Sequence, residues 1–135
     1  MNRLYILLTM MVVMVLAFFA GHEALAKVLT GTAGNDTLLG TSRADHLMGL
    51  RGADRLWGGG GEDHLKGNRG NDRLWGSRGN DKVYAGYGDD LIYARDTDGV
   101  DYIDCGPGHD QVETVHRDDN TLSNCERPLG VNDIP

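Results

Sequence analysis

The sequence predicts an all-β fold in which short strands stack through a nine-residue repeat, and three observations carry that prediction. Aspartate recurs once in every nine residues, at Asp36, Asp45, Asp54, Asp63, Asp72, Asp81 and Asp90, then after a two-residue slip at Asp101 and Asp110. Two places after each stands an aliphatic residue: Leu38, Leu47, Leu56, Leu65, Leu74, Val83, Ile92, Ile103 and Val112. Two places before each stands glycine, in eight of nine cases. No helix or ordinary strand has this period, so the repeat describes the fold of the whole segment.

The units begin at Gly31, Gly40, Gly49, Gly58, Gly67, Gly76, Ala85, Asp96 and Cys105. Glycine at the fourth place, with glycine or another small or turn-prone residue often at the first and second, permits positive φ in a tight turn. Such a turn points its carbonyls at one spot. The sixth-place Asp adds a carboxylate, and a hard cation that takes oxygen ligands is the natural occupant. Calcium suits it better than magnesium, which demands a smaller, stricter octahedral shell. Places seven to nine then form a short strand whose middle residue points inward, and the aliphatic side chains stack as a core.

On these residues the chain resembles the hemolysin-type calcium-binding repeat, or repeats-in-toxin (RTX), family, whose consensus is G-G-x-G-x-D-x-U-x. The resemblance spans residues 31 to 113 of 135. It implies a right-handed parallel β-roll, two nonamers to a coil, with calcium as cofactor between turns two units apart. The side-chain ligands it implies are Asp36, Asp45, Asp54, Asp63, Asp72, Asp81, Asp90, Asp101 and Asp110. The implied turn carbonyls belong to Gly31, Gly34, Gly49, Gly52, Gly58, Gly61, Gly67, Gly70, Gly76, Gly79 and Gly88.

Departures mark weaker sites. Arg43 stands where glycine is expected, and a positive φ there costs a non-glycine residue about 1–2 kcal/mol. Its turn is expected to be a poor site. Arg51, Arg69 and Arg78 take third places, close to the ion unless their stems carry the charge outward. The slip at Ala94 and Arg95 breaks the register, so Asp101 and Asp110 are the least secure ligands and Asp54, Asp63, Asp72 and Asp81 the most secure.

Outside the repeat, residues 1–26 read as an export signal: Arg3, an apolar run from Leu4 to Ala20, and the small-x-small site Ala24-Leu25-Ala26. A retained membrane anchor is the alternative. The repeat segment is assigned to 27–113, a C-terminal cap to 114–127 and a disordered tail to 128–135. Cys105 and Cys125, the only cysteines, are expected to form a disulfide in an oxidising compartment. Some secreted relatives carry a similar tail, whose job would be to cover the open end of the roll.

The net charge of -7 is unevenly shared. Residues 31–93 hold eight Lys or Arg against eight Asp and one Glu, so loading several calcium ions would make this part cationic and attract anionic polymers or cell surfaces. Two units per coil would place Trp57, Trp75 and Tyr93 in one outward stripe, beside Arg55 and Arg73, as a face for sugar rings or a partner chain. Aromatics also simply favour strands, which explains the stripe without a ligand. His46 and His64 would form a ladder on the other sheet, either as solvated strand residues or as a metal- or pH-sensitive pair.

No H-E-x-x-H or G-x-S-x-G occurs, so the chain is read as non-enzymatic. The expectation is a secreted, extracellular calcium-binding protein that folds on calcium, a structural or surface-adhesive module. The alternative is an accessory or remnant repeat domain of a secreted hydrolase or toxin. Expected partners are calcium ions and a cell-surface polysaccharide or another protein; nucleic acid and stable membrane insertion after signal cleavage are not expected.

Overall fold

The structure is a computed structural model, and it describes residues 25–94, 99–114 and 121–125. The export signal up to residue 24, the middle of the cap at 115–120 and the 128–135 tail lie outside the described residues. The strands are β1 (Val28–Thr30), β2 (Thr37–Leu39), β3 (His46–Arg51), β4 (Arg55–Gly60), β5 (His64–Arg69) and β6 (Arg73–Arg78). They continue as β7 (Lys82–Tyr87), β8 (Leu91–Ala94), β9 (Tyr102–Asp104), β10 (Gln111–Thr114) and β11 (Thr121–Ser123). Consecutive strands alternate between two parallel sheets, β1-β3-β5-β7-β9-β11 and β2-β4-β6-β8-β10.

Pairing is strictly one coil apart. Arg55, Leu56 and Trp57 face Arg73, Leu74 and Trp75, the same places two units on. The slip at Ala94 and Arg95 does not disturb this: Lys82 pairs with Tyr102, and Leu91 with Gln111. Two nonamers therefore make one coil of a parallel β-roll, as the period predicts.

The strands from β3 to β7 are six residues long rather than three. Each runs on through the first three places of the next unit. The second place bends the chain with a positive φ, +83° at Leu50 and +80° at Asn68, while the ladder continues with Leu50 opposite Asn68 and Arg51 opposite Arg69. The first place is not in the positive-φ region. It turns inward, and at Gly67 only glycine fits: a Cβ there would lie 2.2 Å from Asp72 Oδ2 and 2.5 Å from the Ala85 carbonyl.

Three places of each unit thus line the interior: the aspartate, the aliphatic residue and the following small residue. Leu47, Leu56, Leu65, Leu74, Val83, Ile92, Ile103 and Val112 are fully buried in one file, with Leu29 and Leu38 half-buried against it. Leu29 reveals a coil segment that precedes Gly31. It stands nine residues before Leu38, yet Lys27 occupies the aspartate's place, so the aspartate period did not reach it. The Lys27 N–H still donates to Asp45 Oδ1, as the aspartate's own N–H does further along. At the other end Cys105 and Cys125 are disulfide-bonded, with Cα atoms 5.0 Å apart. Within the segment assigned to the cap, β11 pairs with β9 and lengthens the sheet by one strand.

Candidate metal centre

The roll has two turn rows. One carries Asp36, Asp54, Asp72, Asp90 and Asp110, the other Asp45, Asp63, Asp81 and Asp101. Along each row, Oδ1 of every aspartate accepts the N–H of the aspartate one coil before it: Asp36 to Asp54 at 2.7 Å, Asp54 to Asp72 at 2.8 Å and Asp72 to Asp90 at 2.7 Å. Asp101 and Asp110, beyond the slip, take the same role toward Asp81 at 3.0 Å and Asp90 at 2.9 Å. The two ligands read as least secure are therefore in register.

The second carboxylate oxygen divides the row. In the first two units a threonine at the second place satisfies it: Thr32 N–H and Oγ1 donate to Asp36 Oδ2, and Thr41 N–H and Oγ1 to Asp45 Oδ2. In the third to seventh units that threonine is absent, and it stands at the second place again only as Thr97. The Oδ2 atoms of Asp54, Asp63, Asp72 and Asp90 are buried without a hydrogen-bond partner. Leaving such an acceptor bare costs about 1–3 kcal/mol, and more when it is charged.

Electrostatics follow the geometry. Burial, reinforced by the neighbouring aspartate one coil away, raises Asp63 and Asp72 to about 6 and Asp90 to about 7 against hydrogen bonds that pull the other way. Asp54 moves in the same direction for the same first cause.

What surrounds the bare oxygens is more oxygen. The space a side chain on Gly49 would fill lies 2.3 Å from Asp54 Oδ2 and 3.0 Å from the Gly67 carbonyl; over Gly58 the figures are 2.3 Å to Asp63 Oδ2 and 2.6 Å to the Gly76 carbonyl. Fourth-place carbonyls are filed separately along the turns, that of Gly52 aimed at Gly70 and that of Gly70 at Gly88. No group of three or more His, Cys, Asp or Glu side chains suited to a metal gathers among the described residues. A metal here would take one carboxylate per turn and otherwise backbone oxygen, the donor set of a hard cation. The residues present fit calcium.

A family model described as the RTX calcium-binding nonapeptide repeat (4 copies) matches residues 28–42, 39–74 and 66–96. The chain belongs to the RTX calcium-binding repeat family. Calcium is accordingly the cofactor of this RTX roll. No curated protein matches the chain.

One expectation for the RTX turns needs correction. Arg43 is not forced into positive φ. Thr41 Oγ1 accepts the Arg43 N–H just as Thr32 Oγ1 accepts that of Gly34, so the threonine sets this turn, whichever residue stands fourth. Arg51, Arg69 and Arg78 are all exposed, the case in which their stems carry the charge outward.

On the outer faces the Trp57 and Trp75 rings stack at 4.3 Å and 7°, and Trp75 and Tyr93 at 4.7 Å and 2°. The stripe exists, but its rings cover one another, and Trp75 has neither face free for a sugar. His46 and His64 lie 4.8 Å apart and tilted on the other sheet. Burial, then His46, Lys82 and Lys66, hold His64 below the usual imidazole pKa.

Proposed function

We propose that this RTX chain is a secreted, non-catalytic structural module whose roll folds when calcium fills the turn rows. The side-chain ligands in this reading are Asp54, Asp63, Asp72, Asp81 and Asp90, continued by Asp101 and Asp110, with first- and fourth-place carbonyls completing each shell. Asp36 and Asp45 serve as the threonine-closed start of each row.

The observation that carries the reading is the bare, buried Oδ2 of Asp54, Asp63, Asp72 and Asp90. A buried carboxylate needs a proton or a cation. Outside the cell, near neutral pH and with abundant calcium, the cation prevails. The core is thin, one inward aliphatic side chain per nine residues, and glycine is costly to order. The metal therefore has a large share in deciding the equilibrium, since a ligand bound only by the folded state adds about 2.7 kcal/mol per site at a hundred times its dissociation constant.

The test is circular dichroism of the chain during a calcium titration, with magnesium as control. A cooperative gain of β signal with a midpoint near 10⁻⁴–10⁻³ M, roughly the range of extracellular calcium modules, is expected. Equal response to magnesium would contradict calcium as the folding ligand.

A further inference from the structure

We infer that the turn row of Asp54, Asp72 and Asp90 is also a binding edge for a linear anionic polysaccharide, gripped by Arg51 and Arg69 on one flank and Arg55 and Arg73 on the other. The inference rests on the calcium-folded roll proposed above, which brings the four residues together. β3 ends at Arg51 and β4 begins at Arg55, with only the turn of Asp54 between them. One coil on, β5 ends at Arg69 and β6 begins at Arg73 around Asp72. Register sets Arg51 beside Arg69 and Arg55 beside Arg73.

All four arginines are exposed, and none forms an ion pair with another described residue. Like charges on neighbouring parallel strands, about 4.8 Å apart, repel one another. No acidic residue lies on β3, β4, β5 or β6 to offset this. The abundant aspartates do not, because Asp54, Asp63, Asp72, Asp81 and Asp90 are turned inward and at most 2% exposed. Between residues 51 and 93 only Glu62 and Asp89 present acidic side chains outward. Calcium in the row would add positive charge between the two arginine flanks. The opposite row has no such paired ladder: its seventh places are His46, His64 and Lys82, and its third places are Ser42, Gly60 and Arg78, so no arginine there stands beside another one coil away.

The shape of this field selects the partner. Guanidinium groups pair with carboxylate or sulfate in two-point geometry, and a ladder at strand pitch matches a chain bearing one such group per sugar ring. Arg51 and Arg69 also line a shallow depression with Asn68 and Tyr87, which supply hydrogen-bonding groups for hydroxyls. Single-stranded nucleic acid is the weaker fit, since it calls for open aromatic faces and the Trp57, Trp75 and Tyr93 rings are spent on each other.

The test is titration calorimetry of the calcium-loaded full chain with polygalacturonate, dextran sulfate, neutral dextran, oligo-dT and anionic lipid vesicles. The edge variant Arg51→Gln/Arg55→Gln/Arg69→Gln/Arg73→Gln is compared with a control that removes four charges elsewhere, Arg43→Gln/Lys66→Gln/Arg78→Gln/Lys82→Gln. The edge variant should lose about tenfold or more in affinity, as multipoint contacts do, while the control stays within about twofold. The two acidic polysaccharides distinguish carboxylate from sulfate preference; binding to either supports the proposal, and neutral dextran should not bind. Equal losses in both variants, no binding to either acidic polysaccharide, or preference for oligo-dT or vesicles would overturn it. Circular dichroism with calcium on each protein separates the two readings: a folded chain that does not bind sinks only the edge, whereas a wild-type chain indifferent to calcium sinks the folding switch. If the fourfold variant does not fold, the pairs Arg51→Gln/Arg69→Gln and Arg55→Gln/Arg73→Gln are tested separately, each expected to lose about threefold.

Discussion

The first two units and the five that follow them obey the same aspartate period but solve different problems. In the units of Asp36 and Asp45 a threonine hydroxyl and its own N–H occupy the inner carboxylate oxygen, so the turn is satisfied by protein alone. In those of Asp54, Asp63, Asp72 and Asp90 the same oxygen is bare and buried. The difference is one residue at the second place: Thr32 and Thr41 against Leu50, Gly59, Asn68 and Gly86, all with positive φ. In the proposed reading, the turns that close without metal are the fixed end on which the metal-dependent turns would be laid.

The strongest way to break this comparison is to delete equivalent carboxylates on either side of it. Asp72→Ala leaves the buried Asp54 N–H without its acceptor and removes a proposed calcium ligand, so it should cost about 2–4 kcal/mol and raise the calcium midpoint severalfold. Asp36→Ala, near the exposed end, should cost no more than about 1 kcal/mol and leave the midpoint almost unchanged. Calcium titrations of both, followed by circular dichroism, check the contrast.

Trp75→Ser probes the central coils from outside. It removes both stacked contacts at once, and each such contact is worth about 0.5–1.5 kcal/mol beyond area. A loss of about 2 kcal/mol in denaturant unfolding with calcium present is expected.

Acid offers a sharper probe, because burial raises the pKa values of the bare Asp54, Asp63, Asp72 and Asp90. A group held more strongly protonated in the folded state stabilises that state below its unfolded value and ceases to do so as pH rises through the folded one. The window therefore runs from 3.8 up to about 6 for Asp63 and Asp72 and about 7 for Asp90. In chelator the chain should hold more β structure at the acid end of this window than at pH 7.5, and calcium should reverse that order. The smallest effect concerns Leu50, whose side chain sits at φ +83°. Leu50→Gly should stabilise the calcium form by up to about 1 kcal/mol in the same unfolding assay.

Much of this was legible in the chain. A period of nine with aspartate and aliphatic locked together specifies coil length, pairing partner and the inward positions, and the two-residue slip proved harmless because pairing beyond it keeps its register, Lys82 with Tyr102 and Leu91 with Gln111. Leu29 was missed because Lys27 hid its unit, although the aliphatic period alone would have found it. The role of Thr32 and Thr41 was not legible, since a second-place threonine reads as one more turn-prone residue until its hydroxyl is seen against Asp36 or Asp45. The Trp57–Trp75–Tyr93 stripe was foreseen, but not that its rings would close on one another; in-register placement at strand spacing implies that stacking.

The most direct test is far-ultraviolet circular dichroism of the purified chain at pH 7.5 before and after exhaustive EDTA dialysis, with the disulfide intact. The account predicts loss of most β signal on dialysis and its full return when calcium is restored. A chain that keeps its β signal in EDTA would show that the bare carboxylates need no cation, and would contradict it.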